Sequence, residues 1–263
     1  MKLFSKKRIG AVNKKRLANY VLYAIGEIIL VVIGILIAVA INNWNEGRKE
    51  DKRLTTYLKD YRNDLLFDTL VVGRNIKLLD EKKKAFDLVL SDSLNKEVLF
   101  ANPLTFSLTT THSPFKLQNK GYNELKNFAD RDNNLVDSLV NTIIANHAAY
   151  DDLIEQTQSR INNDIDDNLS YLKNNKKWVA DLLTGNLTDE VIDYFLSKEY
   201  RNRAALHYVL AYGNLYQFLK RYQTYAEDMI LQIDKRLAED SEQEEVITPK
   251  EEDNIKEGKK NTI

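Results

Sequence analysis

The chain has no cysteine, and only three prolines and nine glycines in 263 residues. The lack of cysteine removes disulfide scaffolds, thiolate metal sites and thiol nucleophiles, and leaves the redox compartment open. So few Pro and Gly leave little provision for sharp turns, which favours long helices and an all-α class. Catalytic signatures are missing as well: there is no glycine-rich phosphate loop, no G-x-S-x-G elbow and no dinucleotide fingerprint. The three histidines, His112, His147 and His207, stand in neither H-E-x-x-H nor Glu-x-x-His spacing, so zincin and di-iron sites lack their ligands. Asp164, Asp166 and Asn168 imitate the start of a calcium loop. Leu169 then stands where the turn needs Gly, and Asn175 where the bidentate Glu belongs. Those carboxylates are expected on a solvated helix face. No catalytic residue, cofactor or metal site is expected.

Charge is nearly balanced overall, at −1, but unevenly spread. Lys2, Lys6, Lys7, Arg8, Lys14, Lys15 and Arg16 give the first sixteen residues seven positive charges and no acid. Removing these seven, and the one negative charge of Glu27, from −1 leaves −7 for the part after Trp44. An acidic domain of that kind argues against nucleic-acid binding.

Residues 20–41 read YVLYAIGEIILVVIGILIAVAI. As a helix this stretch measures roughly 33 Å, enough to span a hydrocarbon core of about 30 Å. Basic residues precede it and mixed charges follow it, so the positive-inside rule keeps the N-terminus cytoplasmic and exports the rest. Tyr20 and Tyr23 at one end and Trp44 at the other suit the two membrane interfaces, and the bilayer is the first expected partner. Ala38-Val39-Ala40 also has the small-x-small form of a cleavage site, so a cleaved signal peptide competes with a retained anchor. The apolar stretch exceeds an ordinary signal core, which favours the anchor. Glu27 lies roughly 10 Å inside the cytoplasmic end, where an ionised carboxylate is costly. Either it contacts another helix, with Gly34 and Ala38 as a small-xxx-small surface on nearly the same face, or serves a proton-linked role, or it simply snorkels or keeps a proton.

Beyond the anchor, Leu58, Leu65, Val72, Leu79 and Phe86 recur every seven residues, with Leu54, Tyr61, Ile76 and Leu90 beside them, which predicts one amphipathic helix over 53–91. Asp68, Gly73 and Lys83 interrupt the seam, so packing in a bundle is favoured over an extended coiled coil. Residues 91–114 carry breaker chemistry and read as an irregular connection. Helices are expected at 115–129 and, after a polar turn at 130–133, at 135–174, the latter with Leu135, Leu139, Ile143, Ile154, Ile161, Ile165, Leu169 and Leu172 on its apolar face. Short helices follow at 178–183, ended by Gly185, and from Thr188 to about 196. The last helix, 199–237, carries Tyr208, Leu215, Tyr222 and Met229 in one series and Tyr212, Leu219, Ala226 and Ile233 in another. Its tyrosines Tyr208, Tyr212, Tyr216 and Tyr222 are expected to pack in a core, with a ligand pocket as the alternative. The expected order is thus a basic cytoplasmic tail (1–19), a transmembrane helix (20–42), an up-and-down bundle of long amphipathic helices (43–240) and a charged, disordered tail (241–263).

Residues 23–38, YAIGEIILVVIGILIA, followed at 41–46 by INNWNE, resemble the N-terminal signature of a family of uncharacterised membrane-anchored proteins from Bacteroidota. Residues 121–127, GYNELKN, look like that family's more loosely kept tyrosine-rich helix, although Phe128-Ala129-Asp130 departs from its small, glycine-containing stretch. The resemblance implies a bacterial inner-membrane anchor with a helical periplasmic domain, and brings no catalytic residue. Glu27 and the Asn-Asn-Trp-Asn-Glu junction belong to the matched pattern, which favours a retained, functional anchor.

The functional expectation is a non-enzymatic, membrane-tethered periplasmic interaction or scaffold module, partnered by a second copy or by another envelope protein. A helical-bundle sensor of a small ligand, acting through a partner, is the alternative. A hydrolase or transferase built from scattered carboxylates comes third.

Overall fold

The computed structural model describes residues 14–131 and 137–247, with backbone only for 14–21 and 243–247. The expected basic tail up to residue 13, the end of the polar turn at 132–133, the side chains of Tyr20 and Leu135, and the charged tail beyond Ile247 lie outside the described residues. Within the described residues every regular element is helical. The chain divides into two compact units, one ending at Leu54 and one beginning at Thr55.

Helix α1, Lys14–Leu90, contributes to both. In the first unit it is long and apolar enough to cross a membrane: its most apolar 18-residue window has a mean hydropathy of 2.9, and none of that window is buried. Such a surface is unstable in water and at home in lipid.

In the second unit α1 is followed by α2 (Lys96–Ala101), a 3-10 turn (Pro103–Ser107), α3 (Lys120–Arg131), α4 (Ser138–Asn175), α5 (Val179–Leu183), α6 (Asp189–Phe195), α7 (Lys198–Tyr208), a π-helical turn (Val209–Leu215) and α8 (Tyr216–Ile247). Side-chain contacts fix the directions. Tyr57 meets Phe128 and Asp64 meets Gly121, so α3 runs antiparallel to α1. Asp137 pairs with Arg236, Tyr150 meets Tyr222 edge to face and Asp164 bonds His207, so the α7–α8 segment runs antiparallel to α4. Asp234, Tyr222 and Tyr212 meet Arg62, Asp68 and Leu79 in that order, so it runs antiparallel to α1 as well. The result is an up-and-down arrangement of α1, α3, α4 and α7–α8.

The seven-residue series predicts the core well. Leu58, Leu65, Val72 and Phe86 are buried, as are Leu215, Leu219, Tyr222, Ala226, Met229 and Ile233. Each large apolar side chain removed from water contributes roughly 1.5–3 kcal/mol. A second cluster closes the end where α1 stops. There Val89, Leu99, Leu108, Trp178, Val191, Phe195 and Tyr200 pack together, and the Tyr200 hydroxyl donates to the Thr105 carbonyl.

Several expectations are corrected. Residues 91–114 are not wholly irregular: Asn95 caps α2 through Val98 N–H, and Pro103 opens the 3-10 turn. Helix α3 starts at Lys120 rather than at Phe115, and residues 111–119 form no regular element. The last helix is interrupted by the π turn and continues to Ile247 rather than stopping near Leu237. Leu169, expected on the apolar face of α4, is exposed, and Asn168 takes the inward position.

Candidate functional site

The non-helical segment 111–119 forms a strap held by side chains of the surrounding helices. Lys82 Nζ donates to the Thr111 carbonyl at 2.8 Å and to its hydroxyl at 2.9 Å. The Gln158 amide reads the Phe115 backbone from both sides, accepting its N–H at 2.9 Å and donating to its carbonyl at 2.9 Å. Asp68 accepts the Gln118 N–H, and Asp64 accepts the Gly121 N–H at 2.7 Å. Backbone groups without a helical or sheet partner are thereby satisfied, as burial demands. Gly121 lets the strap's far end come close: a Cβ there would lie 2.2 Å from the Tyr61 backbone nitrogen.

Beneath the strap lies a polar layer. Asp68 occupies a seam position of α1 and is 1% exposed. Its two oxygens receive Gln118 N–H at 3.0 and 3.2 Å, and Oδ2 also receives the Tyr222 hydroxyl at 2.8 Å. Burial pushes its carboxyl up to about 6, against the pull of those hydrogen bonds, and the like charges of Asp64 and Asp151 add to the rise. Burial likewise raises the Tyr222 and Tyr61 phenols, which stay neutral.

His147 is fully buried one turn of contacts away. Its Nε2 lies 2.6 Å from Asn119 Oδ1, while the Asn119 amide nitrogen reaches Asp151 at 3.4 Å. That orientation of Asn119 places the proton on Nε2 and leaves Nδ1 to accept from the Tyr61 hydroxyl at 3.2 Å. Tyr225 closes the chain 3.2 Å from Tyr61 Oη, and Tyr122 stacks on the imidazole at 4.4 Å. Burial holds His147 down to about 4, so the ring is neutral.

A second cluster lies further along α4. His207 Nδ1 is 2.7 Å from Asp164 Oδ2, and Asn168 joins Asp164 to Arg203, whose guanidinium lies 3.6 Å over the Tyr171 ring. The expectation of a solvated face for the carboxylates is corrected for Asp164, which turns inward beside the buried Asn168. Asp166 and Asp167 do face solvent. His112 is half-buried and held down to about 4, first by burial and then by the charges of His207 and Lys82. Among the described residues no group of three or more His, Asp or Glu side chains is arranged to hold a metal ion.

The tyrosine series separates by burial. Tyr212 and Tyr222 are buried, the former donating to the Leu79 carbonyl at 2.6 Å; Tyr208 and Tyr216 are half-buried, the latter donating to Asp80 at 2.8 Å. Glu27, Gly34 and Ala38 are exposed on α1, within roughly 40° of one another around the helix axis. Tyr23 and Trp44 are exposed too, with the Arg48 guanidinium 5.3 Å over the Trp44 ring.

Residues 27–101 match a family of unknown function, DUF6090. The DUF6090 match takes in Glu27, Gly34, Asp64, Asp68 and Lys82, and stops before the strap and before α4 and α8. No curated protein and no solved structure matches the chain.

Sequence reasoning singled out Asp68 only as an interruption of the seam, and found the histidines in no metal-binding spacing. The signal available for Asp68 was its seven-residue register with Tyr61 and Asn75. Its partners Gln118 and Tyr222, 50 and 154 residues away, have no local signature.

Proposed function

We propose that this protein is a membrane-tethered interaction module, non-enzymatic, of a bacterial inner membrane. Its N-terminus lies in the cytoplasm and the unit from Thr55 onward in the periplasm. Tyr20, Tyr23 and Trp44 sit at the membrane interfaces, and Glu27, Gly34 and Ala38 supply an intramembrane contact to a second copy or to another membrane protein. The observation that carries the reading is where the second unit spends its surface. The core tyrosines and histidines bond one another, whereas the outward side of α1 exposes Leu66 (40%), Phe67 (52%) and Leu70 (74%) on adjoining turns. Contiguous apolar surface opposite a core-facing stripe favours association with protein. The sensor alternative, acting through a partner, draws support from one observation, the buried carboxylate of Asp68.

The test is in-cell crosslinking of the full chain. Photoreactive side chains replace Phe67 or Leu70, and, as a control on another exposed helix face, Asp166. A protein adduct from the first two sites, absent from the third and lost with an Ile33→Arg anchor, is expected. Equal adducts from all three sites, or none from any, would overturn the reading.

A further inference from the structure

We propose that Asp68 makes the 111–121 segment a proton-operated strap, which tightens against α1 and α4 when the carboxyl takes up a proton and loosens when it gives the proton up. This stands independently of the interaction-module reading.

The geometry sets the device up. Seam positions of a bundle ordinarily carry apolar side chains, and Asp68 sits in one, held by a strap N–H and a phenol. Among the described residues no Lys, Arg or His side chain bonds to it. Its surroundings supply no compensating cation. Tyr61 and Asp64 stand near it on α1, Asp151 and His147 on α4, and Tyr222 and Tyr225 on α8. Of these, His147 spends both ring nitrogens on Tyr61 and Asn119. The closest lysine of α3, Lys120, pairs with Asp60 at 3.0 Å. A charged Asp68 therefore faces like charges at a buried position.

The strap itself covers the group, since the amide that bonds Asp68 belongs to it. Lifting the strap admits water and removes the burial cost, so the carboxyl holds its proton more tightly with the strap down than with it up. By linkage, protons then favour the strapped state. The Gln118 N–H works the other way, favouring the ionised form, but burial is the larger effect. Asp64, bonded to Gly121 N–H at the end of the strap, is also pushed up by burial and acts in the same direction. The other fastenings are the Lys82 ammonium and the neutral Gln158 amide. The strap's own His112 and the ring of His147, bonded to Asn119, are both held down to about 4 by burial, and by the same linkage they favour the lifted strap as the pH falls. Asp68, held near 6, responds between pH 5 and 7.5 in the opposite sense, and its part is read by difference from a neutral residue at the same position.

The test is hydrogen–deuterium exchange of the full-length protein in nanodiscs at pH 5.0 and 7.5, corrected for the intrinsic pH dependence of exchange. A carboxyl held near 6 with the strap down and at its ordinary value with the strap up contributes a factor of about ten in favour of strap opening at pH 7.5 over pH 5.0. Asp68→Asn keeps the shape, stays neutral and leaves His112 and His147 in place. The ratio of exchange rates at pH 7.5 and pH 5.0, for peptides covering 112–121, should therefore be about tenfold higher in the wild type than in Asp68→Asn, while peptides from the middle of α4 show no such gap. A ratio equal in the two proteins, or higher in Asp68→Asn, would overturn the proposal. Asp68→Leu, neutral at every pH, takes the place of Asp68→Asn if that variant does not fold.

Discussion

Gly121 makes the closest helix-to-helix approach that a single methyl group can test. A Cβ at this position would lie 2.2 Å from Tyr61 N, 2.3 Å from Tyr61 Cα and 2.7 Å from Tyr61 Cβ. The first two are backbone atoms of α1 and cannot rotate aside. Carbon contacts settle at about 3.5–4.0 Å, so Gly121→Ala forces α3 to retreat by roughly 1.5 Å. Such a shift stretches the 2.7 Å bond from Gly121 N–H to Asp64 beyond useful length, and opens the α1–α3 seam at Tyr57 and Phe128. Overpacking costs about 1–3 kcal/mol, and loss of a hydrogen bond to a carboxylate about 1.5–3 kcal/mol, so the expected loss is about 3–5 kcal/mol. For a domain of this size each kcal/mol moves the melting temperature by about 2–4 °C, which predicts a drop of roughly 6–20 °C. Gly73→Ala is the matched control, because a Cβ there meets nothing within 4 Å. It should raise stability by about 0.5–1 kcal/mol through the helix preference alone. Circular dichroism melts of the two variants beside the wild type give the answer. A Gly121→Ala melt within about 2 °C of wild type would refute the close-approach argument.

Two further outcomes follow from the strap and its supports. Gln158→Leu leaves the Phe115 N–H and carbonyl without partners and should cost roughly 2 kcal/mol or more in a denaturant titration, with Gln158→Glu, which keeps the acceptor and loses the donor, falling between. His147 is held below its ordinary value, so its contribution is fully present above about 6.5 and is lost as the pH falls through about 4. That contribution amounts to about 3 kcal/mol, and His147→Gln should flatten the acid limb of a stability-versus-pH curve. Asp68 has the opposite sign: its carboxyl is raised, so its contribution is present below about 4 and lost as the pH rises through about 6. Asp68→Asn should therefore steepen the same acid limb, and an unchanged slope in both variants would count against the buried layer as described.

What could be read from the sequence was whatever repeats or caps locally. The seven-residue series located the buried stripes of α1 and α8 because burial imposes a helical period on the chain itself. Thr188 and Gly185 marked real boundaries for the same reason: the Thr188 hydroxyl accepts from Val191 N–H, and Gly185 alone among the described glycines adopts a positive φ, of 78°. The strap was illegible, since residues 111–119 are held by Lys82, Asp68 and Gln158 rather than by their own neighbours. The π turn at Val209–Leu215 left no mark either, because the tyrosines on either side keep an unbroken seven-residue spacing. Asp164 was expected on a solvated face, and it turns inward with Asn168 because His207 and Arg203 offer partners 43 and 35 residues away.

The polar layer also bears on how the bundle chooses its register. The stripes of α1 and α8 repeat every seven residues, so sliding one helix past the other by two turns would preserve nearly all of their apolar contacts. Such a slide would set Leu215 or Met229 against Asp68 in place of Tyr222, and would take Tyr225 from Tyr61. Each orphaned group would then carry about 1–3 kcal/mol of unreturned desolvation, more for the carboxylate. The apolar seam alone does not discriminate between the two registers; the chain Asp68–Tyr222 and His147–Tyr61–Tyr225 does. The same carboxyl that ties α8 to α1 also accepts the strap's amide. A change in its protonation therefore acts where the strap, α1 and α8 are joined, and a single proton can alter the strap without asking any helix to move.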